Sequence, residues 1–346
     1  MILPPPPPPA PELVPPVLLI VFNRPALAAR VLAAVRQARP ARLYVAADGP
    51  RPDRPGEAAL CAATRAAATA VDWPCQVQTL FRDENVGCGQ GPASAIDWFF
   101  RHEAEGIVLE DDCLPTASFF RFCEELLCRY RFDSRVLHIS GNNLSPAARR
   151  PLGPDADSYR FSGRVHSWGW ASWRRAWRYF DFQLALLPEL RRRGQLPNIY
   201  PGWGERQFWL RKFEAVRAGP QPPHIWDYQW HFAVAAQGGL AVVPAVNLVD
   251  NLGFGDDATH TFDPDDQHAH PAAAELDFPL RHPLVVLRDA RADARDFRAH
   301  LAGRLWAALR RRLAGPRPAA GPGPALLAAG SFSSLTYAPV SALSSS

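Results

Sequence analysis

The chain has 346 residues, 47% of them hydrophobic and 21% charged, which suits one large globular unit or two modest ones. A formal charge of +4 is too slight for a histone-like nucleic-acid binder, and Val17 to Phe22, the longest apolar run near the start, is too short to span a bilayer. The six cysteines contain no Cys-x-x-Cys pair and no histidine at zinc-finger spacing, so reduced thiols in a cytoplasmic protein are expected rather than a secreted disulfide scaffold.

Met1-Ile2-Leu3 before a run of prolines has neither the charged start nor the apolar helix of a secretory signal, and residues 1–16 read as a disordered Pro-rich tail. Ala, Leu, Arg and Pro are the commonest residues and Lys212 is the single lysine, so arginine abundance reflects coding bias before it reflects purpose.

From Val17 the pattern alternates. Val17–Phe22 is a continuous apolar run, as expected of a strand buried on both faces of a parallel sheet, and Asn23-Arg24-Pro25 stops it. Ala26–Gln37 has helical spacing, 42–47 reads as a second strand closed by Asp48-Gly49-Pro50, and 57–70 is an alanine-rich helix. A third strand at 75–80 and a helix at 91–102 lead to a short fourth strand, 106–109, that runs into Glu110-Asp111-Asp112. This β-α-β-α-β-α-β order predicts right-handed crossovers and a mostly parallel α/β sheet whose ligand sits beyond the strands' carboxyl ends. Asn23-Arg24, Asp48-Gly49, Asn85-Val86-Gly87 and the acidic triplet all follow strands, so they converge on one rim. No Gly-x-Gly-x-x-Gly follows the first strand and no P-loop exists, which argues against dinucleotide and P-loop nucleotide sites.

Three consecutive carboxylates at the end of an apolar strand are electrostatically costly unless a cation joins them, and a hard divalent ion with oxygen ligands is the natural partner. A bare triplet also fits a solvated acidic loop. Asp48 also reads as an ordinary turn residue, and Arg24 as a strand-end cap.

Residues 107–115, followed by Phe119-Phe120, resemble the metal-binding acidic motif of GT-A glycosyltransferases. The nearest resemblance is to the bacterial group related to the N-acetylglucosaminyltransferase I family, some members of which are labelled "hemolytic protein". Further matching stretches are 21–25, 47–51, 85–88 through 98–100, 168–174, 226–230 and 247–255, in the family's order, so the resemblance spans roughly 17–262. It implies a GT-A, Rossmann-like sheet flanked by helices, with a nucleotide-sugar half over 17–115 and a smaller acceptor half over 116–262. A C-terminal extension over 263–314 and a second disordered tail over 315–346 would follow.

The same resemblance implies that Asp112 binds Mn²⁺ or Mg²⁺ against the donor diphosphate, Asp111 bonds the donor ribose, and Glu110 lies near the transferred sugar. Asp48 and Asn85 would serve the nucleotide, Arg24 the ribose or diphosphate, and His260 would return to the metal. The implied activity moves a hexose or N-acetylhexosamine from a nucleoside-diphosphate donor, a uridine one by preference, to a glycan or lipid-linked acceptor with inversion. The competing readings are a non-catalytic sugar- or nucleotide-binding or toxin-like protein on the same fold and a sugar-1-phosphate nucleotidylyltransferase, the latter disfavoured because no glycine-rich basic loop follows the first strand.

Direct displacement at an anomeric carbon needs a base near the attacking hydroxyl. Asp227, set between Trp226 and Tyr228, resembles the catalytic aspartate of the related family's Trp-Asp-Asp-Trp segment, though Tyr228-Gln229 departs from that pattern. Its plainer reading is the N-cap of a helix over 228–236. Among the aromatics of 159–182, Trp170, Trp173, Trp177 and Phe180 recur at helical spacing and read as core, leaving Trp168 as the expected ligand contact. His268 and His270 read as a surface loop. The basic stretch 288–313 reads as an amphipathic helix, packed on the catalytic unit or resting on the inner face of a membrane.

Overall fold

The structure, a computed structural model, describes residues 14–145, 153, 156–221, 223–253 and 272–313, with 304–313 as backbone alone. The expected alternation is there: β1 (Val17–Val21), α1 (Pro25–Ala38), β2 (Arg42–Ala47), α2 (Glu57–Ala68), β3 (Gln76–Phe81), α3 (Gly87–His102) and β4 (Glu105–Glu110). These four strands pair in parallel in the order β3-β2-β1-β4, with Val17 opposite both Leu43 and Ile107. All five residues of β1 are buried, as the uninterrupted apolar run requires of a strand covered on both faces.

The second half extends the same sheet. After β5 (Cys113–Pro115) and α4 (Ala117–Arg129) come β6 (Val136–Ser140), β7 (Tyr159–Ser162), β8 (Trp170–Trp173), β9 (Leu240–Pro244) and β10 (Val249–Asn251). The eight-stranded order is β3-β2-β1-β4-β8-β6-β9-β7, with β8 antiparallel to both β4 and β6, and β5 and β10 form a separate two-stranded ribbon. Helices on both faces of this mixed, mainly parallel sheet give the Rossmann-like α/β architecture that the sequence leads to. The remaining helices are α5 (Arg174–Trp177), α6 (Leu187–Arg192), α7 (Leu196–Ile199), α8 (Trp203–Ala218), α9 (Asp227–Ala236) and α10 (Ala290–Leu313).

The helical reading of the tryptophan-rich stretch is corrected. Trp170 to Trp173 is a strand, and its three-residue separation puts the two rings on opposite faces of the sheet, one in each of its hydrophobic cores. The core assignment holds: Trp170 and Trp173 are each 1% exposed. Trp170 stacks on Trp226, and Trp177 lies against Trp230, so α9 is fixed to the sheet by aromatic contacts. Asp227 is the first residue of α9, not its N-cap, which is Trp226. All six cysteines are free. No helix among the described residues is long and apolar enough to cross a membrane.

Candidate functional site

The loops after β1, β2, β3 and β4 meet at one rim, as carboxyl-end loops of neighbouring parallel strands must. Asp111 Oδ2 accepts the Phe22 N–H at 3.1 Å, which fixes the end of β4 against the end of β1. Arg24 Nη1 then lies 3.1 Å from Asp112 Oδ2 and 3.7 Å from Asp111 Oδ1. The acidic triplet is therefore turned into the fold and met by a guanidinium, not splayed into solvent; Asp111 is 7% exposed.

One arginine does not balance three carboxylates. Lost hydration, followed by Asp112, Asp111 and Asp227, holds the Glu110 carboxyl well above the usual range despite Arg24. Burial and then Asp112 push Asp111 up to about 7. Carboxyls held this high keep their protons near neutral pH, and a cation bound beside them would displace those protons.

Two loops of the rim are knitted by their own polar groups. Asp48 accepts the backbone N–H groups of Gly49 and Val86 on Oδ1 and those of Val86 and Gly87 on Oδ2, all between 3.0 and 3.1 Å. It thus caps the first turn of α3 from another loop, where Val86 itself offers no capping side chain. Asn85 Nδ2 donates to the Gly49 carbonyl at 2.9 Å. Both residues stand at the rim as expected, but their polar atoms hold the loops that a nucleotide would touch. Glu57, which the sequence reading passed over, does the same for the first two loops. Only 4% exposed, it accepts from Asn23 Nδ2 at 3.0 Å and from the Arg51 N–H at 2.7 Å, and pairs with the Arg51 guanidinium. Its one visible signal was an acid in the first turn of a predicted helix.

The second half reaches the rim through the segment before α9. Gly89 packs so closely on this segment that a Cβ there would lie 1.9 Å from the Pro223 carbonyl oxygen. Cys88 Sγ donates to the His224 carbonyl at 2.8 Å. Lost hydration raises the Cys88 thiol, and the carboxylates of Glu110, Asp227 and Asp48, all within electrostatic reach, push it further. Asp227 is 8% exposed and accepts the Tyr228 N–H at 2.9 Å. Burial raises its carboxyl to about 7, opposed by backbone hydrogen bonds and by Lys212.

The ribbon of β5 and β10 brings the end of the described second half beside the acidic triplet. The Leu252 N–H donates to the Asp112 carbonyl at 2.7 Å, and a Cβ on Gly253 would lie 2.4 Å from Asp112 Oδ2. His260, His268 and His270 lie outside the described residues. Among the described residues no three His, Cys, Asp or Glu side chains form a ligand group of their own.

Trp168 is half-buried and packs against the core beneath the sheet. Two other aromatic rings, Phe180 and Phe182, border an opening. With Gln90, Ala93, Ser94, Asp97 and Gln183 they border a cleft of ≈ 370 Å³ that follows α3 away from its first turn. Gln90, Ser94 and Asp97 share one face of α3 at helical spacing. Asp97 Oδ1 accepts the Trp177 indole N–H at 2.6 Å, and Trp177 stacks on Phe180 with 4.2 Å between ring centroids.

No protein-family model matches the chain, and no curated protein matches it in sequence. Among solved structures it is similar to HddC from Yersinia pseudotuberculosis, at 12% identity and a TM-score of 0.30, over 51% of this chain and 86% of that one. It is also similar to mouse xyloside xylosyltransferase 1 in its apo form, at 12% identity and a TM-score of 0.33, over 64% of this chain and 81% of that one.

Proposed function

We propose that the protein is a metal-dependent glycosyltransferase, transferring a hexose or N-acetylhexosamine from a nucleoside-diphosphate donor, uridine by preference, to a glycan or lipid-linked acceptor with inversion. The observation that carries this reading is the rim itself. An acidic triplet with raised carboxyls lies against Arg24 and within electrostatic reach of Asp227, a buried carboxyl itself raised to about 7.

The residues suit a divalent Mn²⁺ or Mg²⁺ ion: Asp111 and Asp112 are hard oxygen donors beside a single guanidinium, and one or two such ligands would leave coordination positions for phosphate oxygens. Asp112 would hold the ion, with His260 as a further candidate ligand. When bound, the ion supplies Lewis-acid neutralisation of the departing diphosphate. Arg24 adds positive charge at the same place. Asp111 and Glu110 would orient the ribose and the transferred sugar, while Asp48, Asn85 and Glu57 keep the loops of the nucleotide site in position.

Asp227 is the proposed base. A carboxyl near 7 takes a proton from an acceptor hydroxyl as that oxygen bonds to the anomeric carbon and the bond from that carbon to the diphosphate oxygen breaks. The cleft along α3 offers amides, a hydroxyl, a carboxylate and two phenyl rings, the mixture that suits a sugar's hydroxyls and its apolar ring face, so we place the acceptor there.

The test is Asp112→Ala. Purified protein incubated with a panel of nucleotide sugars and Mn²⁺ should release nucleoside diphosphate. The variant should lose this by about two orders of magnitude or more while keeping its circular dichroism and melting point. Metal-dependent release that survives in Asp112→Ala, or no release from the wild type with any donor, would sink the reading and favour a non-catalytic binding protein.

A further inference from the structure

Residues 281–289 run along the outer edge of β7, the last strand of the large sheet. They are fastened at both ends. The Arg281 N–H donates to Ser158 Oγ at 2.9 Å and the Ser158 N–H to the Arg281 carbonyl at 2.8 Å. At the other end the Asp289 N–H donates to the Phe161 carbonyl at 2.8 Å. Between these anchors Pro283-Leu284-Val285-Val286-Leu287 forms an apolar bulge. Val286 packs against the core, but Leu284 is 97% exposed, Leu287 70% and Val285 58%. Three aliphatic side chains within four residues, held in water by anchored backbone, are costly unless something covers them.

Charge says what covers them. By sequence, residues 281–313 carry nine arginines and three aspartates, a formal +6, whereas the whole chain is only +4, so everything else sums to −2. The chain's positive charge is thus concentrated in this stretch of sequence, and its part nearest the bulge, residues 281–303, carries five arginines against three aspartates. Three of these arginines are partly spent: Arg288 pairs with Asp293, Arg295 lies 3.5 Å from Asp296, and Arg298 Nε donates to the Ala294 carbonyl. Arg291 and Arg298 remain exposed on the first turns of α10. An apolar tip flanked by a cationic helix is complementary to a lipid surface with anionic headgroups, which takes the side chains into its acyl boundary and the charges at its phosphates.

We propose that the 283–287 bulge and the cationic α10 together dock the protein reversibly on an anionic membrane surface, with Leu284, Val285 and Leu287 as the inserted group. The surface does not depend on the sugar-transfer reading, because none of its residues lies at the rim.

The test is co-sedimentation of the full chain with phosphatidylcholine vesicles, with and without phosphatidylglycerol. Binding should require phosphatidylglycerol and weaken as salt rises. Leu284→Asp and Leu287→Asp should each reduce partitioning about tenfold, and Arg291→Glu with Arg298→Glu should reduce it further. These positions are exposed, so unchanged melting points verify that the variants fold. No sedimentation with phosphatidylglycerol vesicles, equal binding to neutral vesicles, or unchanged binding by the Leu284 and Leu287 variants would overturn the proposal. Donor hydrolysis in solution should stay at the wild-type rate in all of them.

Discussion

At the scale of single residues, Asp227 makes two demands of opposite sign on pH. As a base it must be ionised, so kcat/KM should rise with pH through about 7 and level off above it. Asp227→Asn should remove nearly all turnover and leave no such rise. For stability the order reverses. The unfolded carboxyl titrates near the ordinary value and the folded one near 7, so between those points the native state binds more protons than the unfolded one. The contribution is present in full below the unfolded value and is lost as pH rises through about 7. Asp227→Asn should therefore leave the melting point nearly unchanged at pH 4 and stabilise the protein by on the order of 2 kcal/mol at pH 8, measured by thermal or urea unfolding. Equal effects at both pH values would show that the carboxyl titrates normally. Asp227 was visible in the sequence as an acid between large aromatics. Its place in the helix was not, because the chain turns into α9 one residue earlier than a capping aspartate predicts.

At the scale of elements, the first half was easy to read because each β-α unit is local: an apolar run, a stop, then a helix with its own periodicity. The second half was harder for a physical reason. β8 pairs with β4 and β6, strands well before it in the chain, so its burial on both faces mimics any short apolar run, and four residues cannot separate a period of 2 from one of 3.6. Glu57 and the capping role of Asp48 were hidden for a similar reason, since their partners lie on other loops. The anchoring of α10 belongs here too. Asp293, 1% exposed, accepts from Arg160 Nη1, Ser162 Oγ, the Gly163 N–H and Arg288 Nε, which ties the first turn of the helix to β7 and the loop after it. Asp293→Ala would leave two arginines facing a buried site without their shared partner, at a cost of about 3 kcal/mol. Thermal unfolding checks the cost, and hydrogen exchange of 290–303 should rise well above that of β1. Helix amides that stay as protected as before would show that Asp293 is not the anchor. These bonds favour the ionised form and hold the carboxyl below its ordinary value, although burial works against them. Its contribution is therefore kept above the unfolded value and lost as pH falls through the folded one.

At the scale of the whole molecule, catalysis of the proposed kind needs a base from one half and a charged rim from the other at a fixed separation. The shared eight-stranded sheet gives the rigid frame, but the fine adjustment is at the seam where α3 meets residues 223–225. Gly89 is the tightest point of that seam among the glycines: a Cβ there meets main-chain oxygen, which cannot rotate away as a side chain can. Gly89→Ala must therefore push α3 and the α9 entry apart, and with them Asp227 from the acidic triplet. Asp48 still caps α3, and the loops of the nucleotide side stay joined by Asn85 and Glu57. The expected outcome is donor affinity within about threefold of wild type, read by calorimetric titration of a nucleotide sugar, while kcat falls on the order of a hundredfold. If Gly89→Ala turned over at the wild-type rate with its fold intact, the two halves would not be coupled through this contact, and Asp227 would have to be positioned by the Trp170, Trp177, Trp226 and Trp230 stack alone.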